Sequence, residues 1–314
     1  MRGHPTIALT GATGFIGGYL LRELTRRGYP VRVLLRRPTA LPAGCTNAVI
    51  GDLSRPINMA AALAEVDTVI HSAGLAPRMS GAPDDDFRRL NAEATANLAR
   101  AAQQARVRRF VFLSSVRAQA DISAAQALRE DAPAVPTDSY GRSKLAAETE
   151  LSRLAIDWVA LRLALVFGPG AKGNMAALIR LARSPLWLPF GALAAPRSLL
   201  ALENLMAAVE LVIALPHPLK RPLIVADPDP LTVPQIVAAL RAGLGRSPGL
   251  IAVPASALRL ALRLARREQL YRRLAEPLVA DPAALLALGW VPRIRTPDAL
   301  AAVAQSFEVV RAGL

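Results

Sequence analysis

A glycine-rich segment near the N-terminus is the strongest constraint on how this chain folds. The sequence TGATGFIG occupies residues 10–17, between an apolar, strand-like run and an amphipathic helical pattern. In this setting the first glycine allows a tight turn, the second lets the main chain approach a pyrophosphate, and the third lets the helix pack closely on the sheet. The helix N-terminus then faces the anion. The segment predicts a dinucleotide site built from Gly11, Thr13, Gly14, Phe15, Ile16 and Gly17.

Strand-like and helix-like patterns alternate through the first half of the chain. The predicted strands are Thr6–Leu9, Val31–Leu35, Val66–His71, Phe110–Leu113 and Val159–Leu163. The predicted helices are Gly17–Arg27, Met59–Ala64, Phe87–Arg106 and Tyr140–Leu154. Strands that alternate with amphipathic helices indicate βαβ units and a parallel sheet covered on both faces. The fold class predicted is therefore α/β, with a doubly wound parallel sheet of the Rossmann type.

The pattern changes after Gly168, where the regular alternation stops and proline becomes more frequent. A smaller, mostly helical subdomain that binds substrate is expected there. A strand and helix between Leu199 and Val225 are expected to rejoin the first sheet. This places the nucleotide-binding domain at residues 1–167 and about 199–226, and the subdomain at about 168–198 and 227–314.

Composition bounds the environment and the partners. The net charge is +14, but the basic residues are almost all arginines scattered along the chain, a pattern that favours a generally basic surface over a nucleic-acid site. Cys45 is the only cysteine, which excludes an internal disulfide and agrees with a reducing compartment. With no signal-like N-terminus and no long uncharged apolar run, we expect a cytoplasmic protein without a membrane-inserted helix. A homodimer is compatible with the sequence.

Two further features of the sequence bear on a membrane contact and on a metal site. The leucine- and arginine-rich stretch Leu258–Arg273 resembles a helix that lies on a membrane surface, but a solvated helix packing its leucine face on the subdomain has the same pattern and is favoured. His4, His71 and His217 have no metal-ligand spacing with Asp, Glu or Cys, so no metal site is predicted.

The end of the second predicted strand bears on the choice of cofactor. Dinucleotide folds often carry Asp or Glu there to accept the ribose hydroxyls, but this chain has Leu35 followed by Arg36 and Arg37. A guanidinium can pair with a 2′-phosphate, so Arg36 favours NADP, with NAD as the alternative. Asp52 and Leu53, taken to end the third strand, are expected to meet the adenine edge.

A serine, a tyrosine and a lysine form the predicted catalytic group. Ser115 follows the fourth predicted strand, and Tyr140 and Lys144 lie one helical turn apart on one helix face. A tyrosine titrates near 10, so a nearby cation is needed to make it an effective acid or base near neutral pH. Lys144 would supply the charge, and Ser115 would hydrogen-bond the substrate oxygen.

These motifs together resemble the extended short-chain dehydrogenase/reductase family of nucleotide-sugar epimerases, dehydratases and ketoreductases. The resemblance covers nearly the whole chain and is closest to bacterial UDP-sugar 4-epimerase-like proteins and 4-keto reductases. It implies that Ser72, Ala73 and Gly74, in VIHSAG at 69–74, lie under the cofactor and that Asn91 supports the active site. It also implies that Asn174 and Arg197 bind the uridine diphosphate of the substrate.

The sequence departs from the family in ways that narrow the reaction. Sugar 4,6-dehydratases carry an Asp-Glu pair directly after the catalytic hydroxyl residue, whereas this chain has Val116 and Arg117, so dehydration is not expected. Two alternatives to a nucleotide-sugar enzyme stay open. One is an NADP-dependent reductase of a small hydrophobic ketone, such as a dihydroflavonol or hydroxysteroid, and the other is a non-catalytic NADP-sensing protein, which should lack the tyrosine and lysine pair.

Overall fold

In the part of the chain that the structure describes, the main sheet has seven strands. A computed structural model describes residues 4–55, 58–76, 83–171 and 173–312, without the side chains of residues 173, 174 and 308–312. The strands of the sheet are β1 (Ile7–Thr10), β2 (Val31–Leu35), β3 (Cys45–Val49), β4 (Thr68–His71), β5 (Arg109–Ser115), β6 (Asp157–Leu163) and β10 (Arg221–Val225). The short strands β7 (Leu165–Phe167), β8 (Pro196–Arg197), β9 (Leu199–Ala201) and β11 (Leu231–Thr232) pair outside it.

Helices separate these strands along the chain. Through the nucleotide-binding half they are α1 (Phe15–Arg26), α2 (Ala60–Leu63), α3 (Asp84–Phe87), α4 (Ala94–Gln104) and α5 (Ser139–Ser152). Residues Arg88–Glu93, between α3 and α4, have π-helical hydrogen bonding. The later helices are α6 (Gly173–Arg183), α7 (Leu202–Ala214), α8 (Val233–Gly243), α9 (Ala255–Leu264), α10 (Glu268–Ala275), α11 (Ala283–Ala287) and α12 (Thr296–Ala312).

The strand order fixes where a ligand would bind. The sheet runs β10-β6-β5-β4-β1-β2-β3, and the pairs from β6 to β3 are parallel. The chain winds outward from β1 through β2 to β3, then returns to place β4 on the other side of β1. This reversal creates a switch point between the carboxyl ends of β1 and β4, the place where open parallel sheets bind ligands. The predicted α/β, Rossmann-type fold is confirmed.

The strands are apolar on both sides because both faces of the sheet are covered. Val69 and Phe110 pack in a core cluster with Leu98 of α4 and Leu151 of α5. The alternate strand residues, such as Ile70, point to the opposite face and are also fully buried. A parallel sheet buried in this way produces the continuous apolar runs seen in the sequence.

The segment between Leu199 and Val225 rejoins the main sheet only in part. Strand β10 is the outer strand beside β6, as predicted, but β9 pairs with β7 and does not enter the main sheet. Ser198, the residue before β9, has its partner outside the main sheet, because its amide donates to the main-chain oxygen of Leu278.

The chain forms two compact units. The first comprises residues 1–119, 133–163 and 206–223, and the second comprises 120–132, 164–205 and 224–314. This division differs from the predicted one most clearly at residues 120–132, which were placed in the nucleotide-binding domain. They join the second unit because Ala124 and Leu128 donate their amides to Pro277 and Val279. A substrate-binding role for the second unit stays a prediction.

The second unit is mostly helical, and its longest helices meet closely. A Cβ atom on Gly243, the last residue of α8, would lie 2.2 Å from the Ala301 carbonyl oxygen of α12. Thr232 and Gln235 form a capping box that fixes the start of α8. Within the described residues, none of the helices combines the length and hydropathy needed to span a bilayer.

Arg109, at the start of β5, supports one test of the fold. Its guanidinium is fully buried, pairs with Asp157 at 2.6 Å and donates to the carbonyl oxygens of Val212, Leu215 and His217 near the end of α7. We expect Arg109→Met to lower the free energy of unfolding by about 3–5 kcal/mol, because it leaves a carboxylate and several carbonyls without their donor. Urea unfolding followed by circular dichroism measures this.

The matched control is Arg100→Met on α4. Arg100 also pairs with a carboxylate, that of Glu150 at 3.2 Å, but the pair is exposed and should contribute less than about 1 kcal/mol. Equal losses for the two variants would contradict a structural role for the buried arginine.

Candidate active site

The loop between β1 and α1 has the geometry that its glycines predict. Gly11 has a φ of +71°, in the left-handed region, and its carbonyl oxygen accepts a hydrogen bond from the Gly14 amide at 2.9 Å. A Cβ atom on Gly17 would lie 2.2 Å from that same oxygen. Glycine at this position is therefore what allows α1 to begin so close to β1.

The start of α1 fits a pyrophosphate. Gly14 is exposed, and a Cβ atom there would come near only the Gly11 carbonyl, at 3.2 Å, among the described atoms. No side chain in that part of the chain caps α1, so its first amides are available to an anion. Thr13 is exposed beside them, and Phe15 and Ile16, in the first turn, are half-buried.

The loop after β4 lies directly against the glycine loop. A Cβ atom on Gly11 would lie 2.6 Å from the Ala73 nitrogen and 2.7 Å from the Ser72 carbonyl carbon. The Ala73 amide donates to the Thr10 hydroxyl at 3.2 Å. The structure thus brings together the two loops that flank the switch point, and their residues fit a dinucleotide.

Two predicted residues for the adenosine end lie near each other. The hydrogen bonds from the Ser54 amide and hydroxyl lower the pKa of Asp52, and the charge of Arg36, which is exposed directly after β2, adds to this effect. The expectation that Asp52 and Leu53 end the third strand was wrong, because β3 stops at Val49. They occupy the turn that follows, where Asp52 accepts both bonds from Ser54.

The predicted catalytic hydroxyls meet at the carboxyl end of β5. Ser115 is the last residue of β5, and Tyr140 is the second residue of α5. The Ser115 hydroxyl is close enough to the phenol of Tyr140 to act on its pKa. The start of α5 is fixed by Asp138, whose carboxylate caps the helix by accepting from the Gly141 amide at 2.6 Å and also pairs with Arg117.

Close main-chain packing requires a glycine at position 141, directly after Tyr140. A Cβ atom at this position would lie 2.2 Å from the main-chain oxygen of Arg117. Arg117 lies in the short 3-10 helix Val116–Ala118, which directly follows Ser115. The first turn of α5 therefore packs on the turn after β5, and this contact holds Tyr140 next to Ser115.

Lys144 lies one turn further along α5 and is almost completely buried. Its ammonium donates to the Leu113 carbonyl at 2.9 Å and lies 4.5 Å from the Phe112 ring centroid and 5.9 Å from that of Tyr140. Burial lowers its pKa to about 8, and the carboxylate of Glu148 opposes that shift. Lys144 is therefore a cation near neutral pH that loses its proton easily.

The phenol of Tyr140 is held in its protonated form. Burial raises its pKa above the ordinary value of 10, while the hydrogen bond to Ser115 and the charge of Arg117 act in the opposite direction. Arg117 is a tuning charge that the sequence analysis missed. A protonated phenol can donate a proton to an oxygen that becomes negative.

Asn91 joins the cofactor loop to the catalytic helix. Its side-chain oxygen accepts from the Leu75 amide at 2.7 Å, and its nitrogen donates to the Leu75 carbonyl at 3.1 Å and to the Ser143 hydroxyl at 3.0 Å. A Cβ atom on Gly74 would lie 2.8 Å from the same side-chain oxygen. The predicted supporting role of Asn91 thus has a physical basis, which is that it fixes this loop relative to α5.

His71 continues this connection through both of its ring nitrogens. Thr95 donates its single hydroxyl proton to the Asn91 carbonyl at 2.5 Å, so it must accept from His71 Nε2 at 3.0 Å. His71 Nδ1 then accepts from the Thr10 hydroxyl at 2.7 Å. Burial lowers the pKa of His71 to about 3, which keeps it neutral and suits this arrangement.

A buried ion pair is formed by the residue one turn after Lys144 on α5. Glu148 pairs with Arg162 of β6 at 2.7 Å and accepts from the Ser114 hydroxyl at 2.5 Å. The sequence carried two signals for it. Glu148 is four residues after Lys144 on the same helix, and Arg162 is a charge inside an apolar strand, which requires a buried partner.

The two predicted substrate residues belong to the second unit. The side chain of Asn174 lies outside the described residues. Arg197 donates to the main-chain oxygens of Glu276 at 2.6 Å and Ile122 at 3.0 Å. Its guanidinium thus connects three segments of that unit, and binding of a phosphate stays a prediction for both residues.

Comparisons with known proteins match the architecture described above. The model of the NAD dependent epimerase/dehydratase family matches residues 7–224. UDP-glucose 4-epimerase of Vibrio cholerae is 31% identical over 314 residues, covering 96% of this chain and 95% of that protein. The chain belongs to the NAD dependent epimerase/dehydratase family. The predicted membership in the extended short-chain dehydrogenase/reductase group is confirmed, and the protein is an NAD(P)-dependent enzyme of this type.

Two other matches bear on the substrate. The structure of MoeE5 in complex with UDP-glucose and NAD superposes with a TM-score of 0.75 at 27% identity and covers 98% of this chain and 99% of that one. The 3-beta-hydroxysteroid dehydrogenase of Mycolicibacterium neoaurum is 38% identical over 115 residues, which is 35% of this chain and 31% of that enzyme.

The depressed pKa of Lys144 predicts how stability depends on pH. Folded Lys144 titrates at about 8 against an ordinary value of 10.5, so unfolding takes up a proton between these values and stability rises with pH there. Between pH 8 and pH 9.5 we expect the free energy of unfolding of the cofactor-free wild type to increase by about 1.6 kcal/mol more than that of the Lys144→Met variant. Urea unfolding at each pH provides the two curves.

Lys220→Met is the control, because it makes the same change at an exposed lysine. Its curve should run parallel to that of the wild type. A Lys144→Met curve that also ran parallel would contradict the buried, easily deprotonated lysine.

Proposed function

We propose that this enzyme oxidises and reduces a secondary hydroxyl of a nucleotide-linked sugar, as a UDP-sugar 4-epimerase or 4-keto reductase. The observation that carries the proposal is the placement of Ser115 and Tyr140 at the carboxyl end of β5, beside the buried ammonium of Lys144. This pair lies at the sheet edge that also carries the dinucleotide loops.

Each residue has a distinct part in the reaction. A nicotinamide cofactor held by the dinucleotide loops would supply the acceptor and donor of hydride for the sugar carbon. The hydroxyl groups of Ser115 and Tyr140 bind the sugar oxygen, and Tyr140 takes its proton on oxidation and returns one on reduction. Lys144 supplies positive charge beside the phenol, which favours the phenolate while Tyr140 lacks its proton.

The full-length similarity to a UDP-glucose 4-epimerase supports a UDP-hexose as substrate. The UDP-glucose in the MoeE5 structure supports the same class. Asn174 and Arg197 are proposed to bind the diphosphate. A second candidate is reduction of a small hydrophobic ketone, favoured by the match to the hydroxysteroid dehydrogenase, but that match covers only about a third of either chain.

The experiment that tests the proposal is incubation of the protein with UDP-glucose, UDP-N-acetylglucosamine and their 4-keto derivatives, with NAD(H) and NADP(H) in parallel. Epimerised UDP-sugar, detected by chromatography, identifies a 4-epimerase. Oxidation of the reduced cofactor by the keto sugars identifies a reductase. Turnover of a hydroxysteroid without any reaction of the UDP-sugars would replace the proposal with the second candidate.

Tyr140→Phe tests the chemistry within the same assay. The change keeps the ring and removes only the exchangeable proton, so we expect turnover to fall by about 10² to 10⁴-fold while cofactor affinity is unchanged. Tyr29→Phe is the matched control, since Tyr29 packs on His4 near the N-terminus. Wild-type turnover in the Tyr140→Phe protein would rule out the catalytic assignment.

We further propose that the cofactor is NADP. The support is Arg36, which is exposed directly after β2. The end of this strand carries no Asp or Glu that would accept the ribose hydroxyls of NAD. Arg36→Ala should weaken NADP binding by roughly 10 to 100-fold through loss of a charge-assisted hydrogen bond and leave NAD binding nearly unchanged. Titration calorimetry measures both. Arg37→Ala, an equally exposed neighbour, is the control.

Tighter binding of NAD than of NADP to the wild type would contradict this assignment, as would an equal loss of both cofactors in Arg36→Ala. The cytoplasmic location and the homodimer expected from the sequence also stay predictions. Gel filtration with light scattering would test the second of these.

A further inference from the structure

Helix α9 packs on the second unit through one narrow side. Leu258 is buried, and Ala255 and Leu262, at spacings of three and four residues, are partly buried against the same core cluster. This cluster includes Leu188 and Val237. The contact accounts for only part of the apolar surface of the helix.

Two further leucines of α9 lie in solvent. The exposed fractions of Leu260 and Leu264 are 59% and 77%. They are one turn apart, and helical geometry places them about 120–160° around the axis from Leu258. The small exposed residues Ala257 and Ala261 continue the same side. We call these four residues the leucine stripe.

Arginines lie along one flank of the leucine stripe and in the turn that follows α9. Residues 255–275 contain six arginines and a single acidic residue, Glu268. Arg259 pairs with Glu268 and Arg272 with Glu276. Within the described part of the chain, no ion pair is formed by the other four, which are Arg263, Arg266, Arg267 and Arg273.

Single exposed leucines are common on protein surfaces and need no partner. Here an exposed leucine pair coincides with unpaired cations on the same short helix and the turn that follows it. Nucleic acid would engage the arginines but not the leucines. A bilayer with acidic headgroups engages both, since leucines can enter the acyl boundary while guanidinium groups bind phosphates.

We propose that α9 and the turn that leads into α10 dock on the surface of an anionic phospholipid bilayer. The helix lies along the surface, with Leu260 and Leu264 inserted and Arg263, Arg266 and Arg267 at the headgroups. Two exposed leucines and a few charges give reversible binding, and no segment crosses the membrane. This contact would hold the second unit at the lipid surface, and it does not involve the dinucleotide loops of the first unit.

The test is co-sedimentation of the full chain with two kinds of vesicle. One consists of phosphatidylcholine alone, and the other also contains about 30–40% phosphatidylglycerol, which gives it a negative surface. We expect binding to the anionic vesicles only, weakened by salt. Leu260→Glu with Leu264→Glu should lower the partition coefficient at least tenfold, since it removes the inserted groups. Arg263→Glu with Arg267→Glu should lower it by about fivefold or more for each residue.

The controls match these changes on other surfaces. Leu286→Glu replaces an exposed leucine of α11, and Arg22→Glu with Arg106→Glu replaces exposed arginines of the first unit. These variants should bind vesicles like the wild type, and circular dichroism should show that all variants fold. Absence of vesicle binding by the wild type overturns the proposal.

Three other outcomes also overturn it. If only the arginine change weakens binding, the contact is electrostatic and the leucines take no part. If a nucleic-acid duplex binds the arginines and vesicles do not, the partner is of another class. If the leucine change converts a dimer into a monomer without vesicle binding, the leucine stripe is the contact between two copies of the chain.

Discussion

The active site depends on one buried chain of hydrogen bonds at the centre of the sheet. It runs from the Ala73 amide through Thr10, His71 and Thr95 to Asn91, whose side chain holds the loop after β4 and the helix that carries Tyr140. Every donor in the chain has one acceptor, which requires a neutral imidazole with its proton on Nε2. Because the members are buried, the loss of one leaves a polar group without a partner in a medium of low dielectric constant. The nucleotide loops and the catalytic helix are thus held by the same set of contacts.

Burial controls the acid–base properties of this centre in two opposite ways. It raises the pKa of Tyr140 and lowers that of Lys144, so at neutral pH the phenol keeps its proton while the ammonium loses its proton more readily than that of an exposed lysine. The ion pair of Glu148 and Arg162 lies in the same region, and its charged groups are hydrogen-bonded to each other. Its carboxylate lies one helical turn from Lys144. A proton can therefore move at the phenol while the charges behind it stay fixed. This separation is suited to a reaction that runs in both directions.

Local pattern was enough to predict the sheet, the glycine loop and the position of Tyr140 one turn before Lys144, because each depends on residues close together in sequence. Tyr140 and Lys144 are one turn apart on a helix, and the glycine motif is a single turn between one strand and one helix. The pattern could not predict that Arg117 tunes Tyr140, since their proximity depends on Gly141 packing against the main chain of residue 117. Nor could it predict that residues 120–132 join the second unit, because their partners, Pro277 and Val279, are about 150 residues away in the sequence.

The sequence by itself determined the order of strands and helices, the glycine turn and the residue types of the catalytic group, since these follow from periodicity and from short-range geometry. The tertiary structure alone decided the partners of the buried polar residues, and with them the protonation states of His71, Lys144 and Tyr140. It also decided that Leu260 and Leu264 remain outside the core that buries Leu258, although all three are leucines of one helix. The reason is the same in both cases, because burial depends on contacts between distant segments, and burial sets both the cost of a charge and the fate of an apolar side chain.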